Sequence, residues 1–268
     1  MLTHNLDRAA YDAIDAAHWS TLKLFAKSAA HYRSAIEAPP VDKDAFRRGR
    51  AVHCATLEPQ KFASEFAIWT DGIRRGKAWD AFAAVNADKT ILTEKELHEV
   101  RDVARAVLSN RLAADHLAKG NAEVSMQWEH EVIKGVSLKL KGRADFISDS
   151  AIIDLKTTRD ASPDGFAREV VKHGYAGQAA LYADGYAKIT GKRLPFVFIA
   201  VEPEAPHCVT VFRVPESVIA VGRAMYEGCL SQLALATHEQ RWPGYAEKEV
   251  ELTLPAWHMK NSESMEVA

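Results

Sequence analysis

The stretch from Lys139 to Thr158, KLKGRADFISDSAIIDLKTT, constrains the fold more than any other part of the chain. Residues 136–147 alternate small or apolar side chains with polar ones, and residues 151–155 form a short apolar run rich in β-branched side chains. Both patterns are typical of strands. The S-D-S sequence between them is typical of a turn, because these side chains bond the local backbone. The sequence therefore predicts two adjacent strands that bring Asp145 and Asp154 close together.

Asp154 and Lys156 are two residues apart, so in a strand both side chains point to the same face of the sheet. Mg²⁺ is usually held by one or two carboxylates together with water and substrate phosphate, and Asp145 and Asp154 suit that role. A neighbouring lysine can orient or deprotonate the attacking water, or neutralise charge on the phosphate. The alternative is a surface Asp–Lys ion pair, which contributes little stability. The end of a predicted buried strand favours the functional interpretation, because unpaired buried charge is costly.

Three motifs, G-R-A-D, I-I-D-L-K-T-T and Q-A-A-L-Y-A-D-G-Y, resemble the PD-(D/E)XK nuclease superfamily, and in particular its exonuclease VIII (RecE-type) branch. The resemblance implies that Asp145 and Asp154 are the catalytic acids, Lys156 the catalytic lysine, and Gln178 and Tyr182 a further pair on a helix. An ordinary amphipathic helix is the alternative for that last pair. The chain departs from the family pattern in two ways: an alanine replaces the proline before the first acid, and the second acid is Asp rather than Glu.

The same resemblance extends the predicted metal-binding set beyond the two aspartates to His53, Glu123 and Leu155. His53 lies in G-R-A-V-H-C-A-T-L-E-P, Glu123 lies in A-E-V-S, and Leu155 lies between the second acid and the lysine. The alternatives are a buried histidine bonded to a backbone carbonyl and a solvent-exposed strand glutamate. The implied cofactor is Mg²⁺ or Mn²⁺, and an imidazole ligand would favour manganese slightly.

The formal net charge of −2 and the pI of about 6.6 exclude a globally basic nucleic-acid-binding protein. Any contact with DNA must therefore be local, through clusters of basic residues that each meet several phosphates. The alternative for every such cluster is a solvated surface. The predicted DNA-binding residues are Lys139, Lys141 and Arg143, on the strand that adjoins the predicted metal site, and Arg159.

Length and composition predict one domain with a sizeable core, since the chain has 268 residues, of which 47% are hydrophobic and 26% charged. Apolar runs of about 18 residues and a signal-peptide pattern are absent, which predicts a cytoplasmic protein without a membrane segment. The three cysteines, Cys54, Cys208 and Cys229, form no C-x-x-C pair. A disulfide framework, a zinc site and the iron–sulfur cluster of related nucleases are therefore not expected.

The predicted fold class is α/β, a mixed central sheet flanked by helices on both faces, as in the restriction-endonuclease-like core. We expect a single domain over 1–268, with a helical N-terminal part (1–118), a nuclease core (119–240) and a tail (241–268). The predicted helices span 11–36, with Ser20 as a cap, then 44–57 after a break at Pro39-Pro40, 93–116, 164–189 and 215–237. The predicted strands also include 123–134, 194–202 and 209–214. Residues 63–88 read as a loop whose aromatic side chains either stack on unpaired bases or pack in the core.

The resemblance implies a metal-dependent deoxyribonuclease, most specifically a 5′-to-3′ exonuclease that acts on double-stranded DNA ends and leaves 3′ single strands for homologous recombination. It also implies a homo-oligomer and a single-strand annealing protein as partner. The alternatives are a single-strand or structure-specific nuclease of the same superfamily, and a catalytically inactive DNA-binding protein. The intact acids and lysine argue against the last alternative.

Overall fold

The structure is a computed structural model that describes residues 1–38 and 44–254, with the backbone alone for 44–46. The predicted break at Pro39-Pro40 and the end of the tail lie outside these residues. The strands are β1 (Leu2–Thr3), β2 (Phe66–Trp69), β3 (Thr90–Thr93), β4 (Gly120–Ile133), β5 (Val136–Ser148), β6 (Ile152–Thr157), β7 (Phe196–Val201) and β8 (Val209–Arg213). The helices are α1 (Arg8–Asp12), α2 (Trp19–Leu22), α3 (Ala29–Glu37), α4 (Asp44–Leu57), α5 (Phe62–Glu65), α6 (Lys77–Val85), α7 (Glu94–Ser109), α8 (Arg111–Leu117), α9 (Pro163–His173), α10 (Tyr175–Thr190) and α11 (Glu216–Glu239).

The main sheet has six strands in the order β1-β4-β5-β6-β7-β8. Strands β6 and β7 are parallel, and the other neighbouring pairs are antiparallel. A parallel pair needs a crossover connection, and α9 and α10 supply it between β6 and β7. The predicted α/β fold with a mixed central sheet is therefore confirmed.

Both faces of the sheet are buried. Along β7 the side chains of Phe196 and Phe198 join one hydrophobic cluster, which includes residues of α2, α3, α10 and α11. The alternating side chains of Val197 and Ile199 join a second cluster, which includes residues of α4 and α7. A strand covered on both faces reads as a continuous apolar run, which explains why β7 shows no alternation in the sequence.

Residues 63–88 contain regular structure where the sequence predicted a loop, and that prediction is wrong. Strand β2 pairs in parallel with β3 in a small second sheet, and helix α6 connects them. The Trp69 ring is buried and packs against Trp79 at 5.5 Å and Phe82 at 5.2 Å between ring centroids. The aromatic side chains thus form a local core, as the packing alternative anticipated.

The predicted first helix, 11–36, is divided into three helices. Helix α2 begins after His18 rather than at Ser20, whose hydroxyl bonds the His18 imidazole at 2.7 Å. A short 3₁₀ turn follows, and Ser28 then caps α3 by accepting the backbone N–H of His31. Serine side chains compete with the helical backbone for hydrogen bonds, which explains why α3 begins after Ser28.

Two further predicted helices are each divided by a residue that caps a new helix. The helix expected over 93–116 ends at Asn110, whose side chain caps α8 by accepting the N–H of Ala113. Its predicted start is confirmed, because Thr93 and Glu96 form a capping box. The helix expected over 164–189 breaks at Gly174, which has a left-handed backbone with φ of +68°.

Residues 241–254 contain neither helix nor strand. The Trp242 ring stacks on Tyr32 of α3, with 5.9 Å between centroids. Arg33 lies over the same indole ring. These contacts fix the start of the tail against the N-terminal helices. Within residues 1–38 and 44–254, the helices are all too short or too polar to span a bilayer.

Candidate metal centre

The candidate site lies where β5 and β6 separate. Their backbones pair only at Phe146 with Ile153 and at Ile147 with Ile152, next to the predicted turn. Beyond this point a side chain takes over the role of the partner strand, because Asp145 Oδ2 accepts the backbone N–H of Leu155 at 2.8 Å. The gap that opens between the two strands leaves room for charged side chains among otherwise buried residues.

Three of the predicted metal-binding residues meet in this gap from different elements. His53 comes from α4, Glu123 from β4 and Asp145 from β5, and one potential ligand atom of each lies within 4.8 Å of the others. The His53 Nδ1 atom is 3.5 Å from Asp145 Oδ2. A buried histidine bonded to a carbonyl was the alternative for His53, and a solvent-exposed strand residue was the alternative for Glu123. His53 is mostly buried and hydrogen-bonds the Leu155 backbone, as its alternative anticipated. Glu123 is only 25% exposed and pairs with Arg143, so its alternative does not describe it. Metal binding by both residues stays a prediction.

Glu123 adopts a strained backbone conformation in the middle of β4. Its φ is +50°, a left-handed value that is uncommon for residues other than glycine. Ladder pairing holds on either side, at Ala122 with Phe146 and at Val124 with Ala144, but skips Glu123. Arg143 lies 2.8 Å from its carboxylate. Strain of this kind persists where the surroundings enforce it, and here it directs the carboxylate toward Asp145.

The electrostatics of the three residues suit a bound cation. Burial, and next the charge of Asp145, raise the pKa of Glu123 to about 7. Burial, and next the charge of Asp154, raise the pKa of Asp145 well above its usual range. Burial and the nearby Lys156 lower the pKa of His53, which keeps the imidazole neutral and able to ligate. A divalent cation would compensate the crowded carboxylates, and a mixed oxygen and nitrogen donor set fits Mg²⁺ or Mn²⁺.

Asp154 and Lys156 form a buried pair on β6 beside this group. Asp154 is 1% exposed; its Oδ2 contacts the Lys156 ammonium group and its Oδ1 accepts Gln178 Nε2 at 2.6 Å. Burial alone would lower the pKa of Lys156, but the carboxylates of Asp154 and Asp145 outweigh it and raise the pKa above the usual value. The pair is therefore buried and charged, and the surface ion-pair alternative does not describe it.

Gln178 reaches the site and Tyr182 lies beside it, one helical turn further along α10. The Tyr182 ring is buried against Gly142 of β5, where an added Cβ would lie only 2.7 Å from the ring. Burial, and next the neighbouring Tyr11, raise the pKa of its phenol. Packing accounts for the position of Tyr182, and its catalytic role stays a prediction. Leu155 contributes its backbone, since its side chain belongs to the core.

The predicted DNA contacts of Lys141 and Arg143 conflict with the structure. Lys141 is 4% exposed and donates to the backbone carbonyls of Tyr11, Asp12 and Ile14, which leaves no N–H for a phosphate. Arg143 bonds the Leu6 carbonyl and pairs with Glu123. Both cations fasten the N-terminal segment to β5, a role that spacing along the sequence does not reveal.

The other two predicted DNA-binding residues are exposed. Lys139 lies six residues before Asp145, roughly 20 Å away along the strand, so it does not adjoin the candidate site as expected. Arg159 follows the end of β6, three residues beyond Lys156. Of the four, Arg159 therefore has the position and the exposure that a phosphate contact near the site requires.

Tyr175 belongs to the site although no motif of the sequence predicts a functional role for it. Its ring lies beneath the Lys156 ammonium group, with 4.7 Å from Nζ to the ring centroid. The available signal was the H-G-Y sequence, in which a glycine ends one helix, together with the spacing of three residues between Tyr175 and Gln178.

Comparisons with known proteins agree with this geometry. The family described as a PDDEXK-like domain of unknown function (DUF3799) matches residues 18–252. A crystal structure from Eubacterium rectale, of a protein provisionally described as an exonuclease, has a TM-score of 0.64 and 16% identity, and the match covers 97% of this chain and 99% of that chain. At that identity the likeness shows the fold alone. A second solved structure, of SSO0001, has a TM-score of only 0.30 and 15% identity, and the match covers 68% of this chain and 84% of that chain. No curated protein matches the chain significantly.

Proposed function

The chain belongs to this family of PDDEXK-like domains, and on that premise we propose that it is a deoxyribonuclease dependent on Mg²⁺ or Mn²⁺. The observation that carries the proposal is the meeting of His53, Glu123 and Asp145, with ligand atoms within 4.8 Å of one another, beside the buried Asp154–Lys156 pair. Carboxylates, an imidazole and a lysine in one partly buried gap are the groups that metal-assisted phosphodiester hydrolysis uses.

In this proposal His53, Glu123, Asp145 and Asp154 hold one or two divalent ions. Asp154 is buried, and its Oδ2 contacts the Lys156 ammonium group, so a bound ion would share this carboxylate with Lys156. A bound ion would polarise the scissile phosphate and lower the pKa of a bound water. The protein's own contribution is to fix these carboxylates, through the Leu155 amide on Asp145 and the Gln178 amide on Asp154.

Lys156 acts as a protonated group. Its raised pKa makes it a poor general base near neutral pH and a good partner for negative charge. Of the roles open to it, orienting the attacking water and neutralising charge on the phosphate therefore fit best.

The finer proposal is a 5′-to-3′ exonuclease that acts on double-stranded DNA ends and leaves 3′ single strands for recombination. It rests on the RecE-type motifs of the sequence, as do the proposed homo-oligomer and single-strand annealing partner. The proposed cytoplasmic location rests on the lack of a signal-peptide pattern and of long apolar runs in the sequence. Arg159 is its best-placed phosphate contact, since it is exposed and lies just beyond β6.

Three DNA substrates test the proposal with purified protein and Mg²⁺ or Mn²⁺. They are a linear duplex labelled at the 5′ end, the same duplex labelled at the 3′ end, and a covalently closed circular duplex. A 5′-to-3′ exonuclease releases the 5′ label early in short products, keeps the 3′ label on long strands and leaves the circle intact.

Nicking of the circle contradicts the exonuclease and favours a structure-specific or endonucleolytic enzyme of the same superfamily. Binding at low salt without any cleavage favours a DNA-binding protein, because phosphate contacts alone give salt-sensitive affinity. Cleavage that persists unchanged in EDTA contradicts the metal dependence.

A further inference from the structure

We propose that Tyr175 is a positioning residue for Lys156, and that the face of its ring, rather than its hydroxyl group, holds the ammonium group in place beside Asp154. The inference rests on the proposed nuclease function, because that function gives Lys156 its role in the reaction. It adds a residue that the motifs of the sequence do not assign.

The Lys156 ammonium group lies between two partners. The Asp154 carboxylate contacts it on one side, and the Tyr175 ring lies 4.7 Å away on another. An aromatic face attracts a cation, and the attraction grows when the cation is removed from water. The Lys156 side chain is 16% exposed, so water competes little for it. A flexible four-carbon side chain is thereby restricted to one position above the ring.

The Tyr175 ring is itself fixed by aromatic packing on the side chains around it. The His173 imidazole stacks on it at 5.3 Å with an angle of 26° between planes, and Phe198 of β7 lies 5.9 Å away. His173 is held in turn, because Glu169 bonds its Nε2 at 2.8 Å and Lys23 donates to its backbone carbonyl at 3.3 Å. The platform under Lys156 is therefore rigid.

The break between α9 and α10 places Tyr175 at this point. Gly174 has a left-handed backbone, and Tyr175 becomes the first residue of α10. The Trp19 ring packs so closely on α10 that a Cβ at Gly177 would lie 2.2 Å from it, which fixes the start of the helix. Residues three apart share a helix face, so Tyr175 reaches Lys156 while Gln178 reaches Asp154.

The experiment compares Tyr175→Phe, Tyr175→Leu and the matched control Tyr186→Leu, which changes a half-buried tyrosine three turns further along α10. We expect kcat for DNA cleavage to stay within about twofold of wild type for Tyr175→Phe, because the ring is kept. For Tyr175→Leu we expect kcat to fall roughly tenfold while KM for DNA changes little. Tyr186→Leu should behave as wild type. Adding Tyr175→Leu to Lys156→Ala should cause no further loss.

A measurement independent of activity accompanies the kinetics. In protein labelled with ¹³C at the lysine ε-carbon, the ring current of Tyr175 should shift the ε-methylene protons of Lys156 upfield. The shift should persist in Tyr175→Phe and disappear in Tyr175→Leu, with Lys156→Arg used to assign the signal.

An unchanged Lys156 signal in Tyr175→Leu overturns the inference, whatever the activities are. Equal loss of kcat in Tyr175→Phe and Tyr175→Leu also overturns it, because the hydroxyl group would then be the active part. An inactive wild-type protein refutes the proposed function instead, and the NMR shift alone then decides whether the ring holds Lys156.

Discussion

The carboxylate of Glu96 and the carboxylates of Glu123 and Asp145, all largely withdrawn from water, have opposite electrostatic balance. Glu96, at the start of α7, accepts the N–H and hydroxyl of Thr93 and pairs with Arg47 at 2.8 Å and with Arg74. Burial alone would raise the pKa of Glu96, but the Thr93 amide and the two guanidinium groups outweigh it and lower the pKa below its usual value. Its negative charge is fully compensated by the protein itself.

Glu123 and Asp145 lack that compensation. Arg143 pairs with Glu123, and the Leu155 amide bonds Asp145. Burial nevertheless raises the pKa of both carboxyl groups, helped by the charge of Asp145 for Glu123 and by the charge of Asp154 for Asp145. The difference separates a carboxylate whose charge the fold compensates from two whose charge it leaves uncompensated. A group that the fold completes by itself stabilises the fold, whereas a group left incomplete is suited to an external cation.

Removal of charge from the Asp154–Lys156 pair, which lies beside the incomplete group, should produce the largest effect. We expect Asp154→Asn and Lys156→Ala each to lower the rate of DNA cleavage by about 10²-fold or more, because both groups act on charge that develops in the reaction. Rates on linear duplex with saturating Mn²⁺ measure the effect. Asp149→Ala is the matched control, since Asp149 lies in the turn between β5 and β6 and is 81% exposed. Near-wild-type cleavage by either site variant, at unchanged Tm, would exclude this pair from the mechanism.

The compensated group should respond in stability instead of activity. Glu96→Ala removes the carboxylate that pairs with Arg47 and Arg74, and with it the half of the α7 capping box that bonds the Thr93 backbone. We therefore expect a loss of about 3 kcal/mol in unfolding free energy. Glu99→Ala, one turn further along α7, is the control. Glu99 is 40% exposed and pairs with Arg48 at 3.6 Å, so its removal should change the free energy by less than about 0.5 kcal/mol.

Chemical denaturation with urea measures both unfolding free energies. The affinity for Mn²⁺ should stay the same in both variants, because Glu96 is not among the residues of the candidate metal centre. Equal stability of Glu96→Ala and Glu99→Ala would show that compensation of this buried charge contributes nothing.

The sequence predicted the local features of the fold and of the site well. Strand spacing placed Asp145 and Asp154 together, and the capping pattern located the start of α7 at Thr93. These features depend on residues that are close in the chain, where the periodicity of apolar residues and the chemistry of capping side chains determine the local structure. The divided helices were missed because a glycine or an asparagine inside an otherwise helical pattern does not reveal whether packing will use it to end the helix. At Gly174, where the helix ends, the backbone packs against the Trp19 ring, which comes from a distant segment of the chain.

The roles of Lys141 and Arg143 could not be predicted from the sequence for a related reason. Lys141 and Arg143 lie in a polar, alternating strand, which is equally typical of a surface that binds phosphate. Their partners are backbone carbonyls of residues 6–14, more than 120 positions away in the chain. Tyr175 was missed because its contact with Lys156 crosses from a helix to the sheet. Local patterns carry no information about such partners.

The smallest expected effect tests the incomplete group through pH. Below its usual pKa of 4.5, Glu123 is protonated in the folded and the unfolded protein alike, and it does not affect their balance. Between that value and about 7 the unfolded chain releases the proton while the folded protein keeps it, so metal-free wild type loses stability as pH rises.

The side chain in Glu123→Gln cannot titrate, so this variant does not lose stability in that way as pH rises. In EDTA its Tm should match wild type near pH 5 and exceed it by an amount equivalent to roughly 1–2 kcal/mol at pH 8, a range reduced because Glu123 is partly exposed to water. Glu129→Gln, an exposed position on the same strand, is the control, and its Tm relative to wild type should not change with pH in this way.

Saturating Mn²⁺ should make wild type more stable than Glu123→Gln, since an amide oxygen is a weaker ligand than a carboxylate. A stability difference that does not vary with pH, or one that Mn²⁺ leaves in place, would mean that Glu123 is compensated as fully as Glu96 and has no need of a cation.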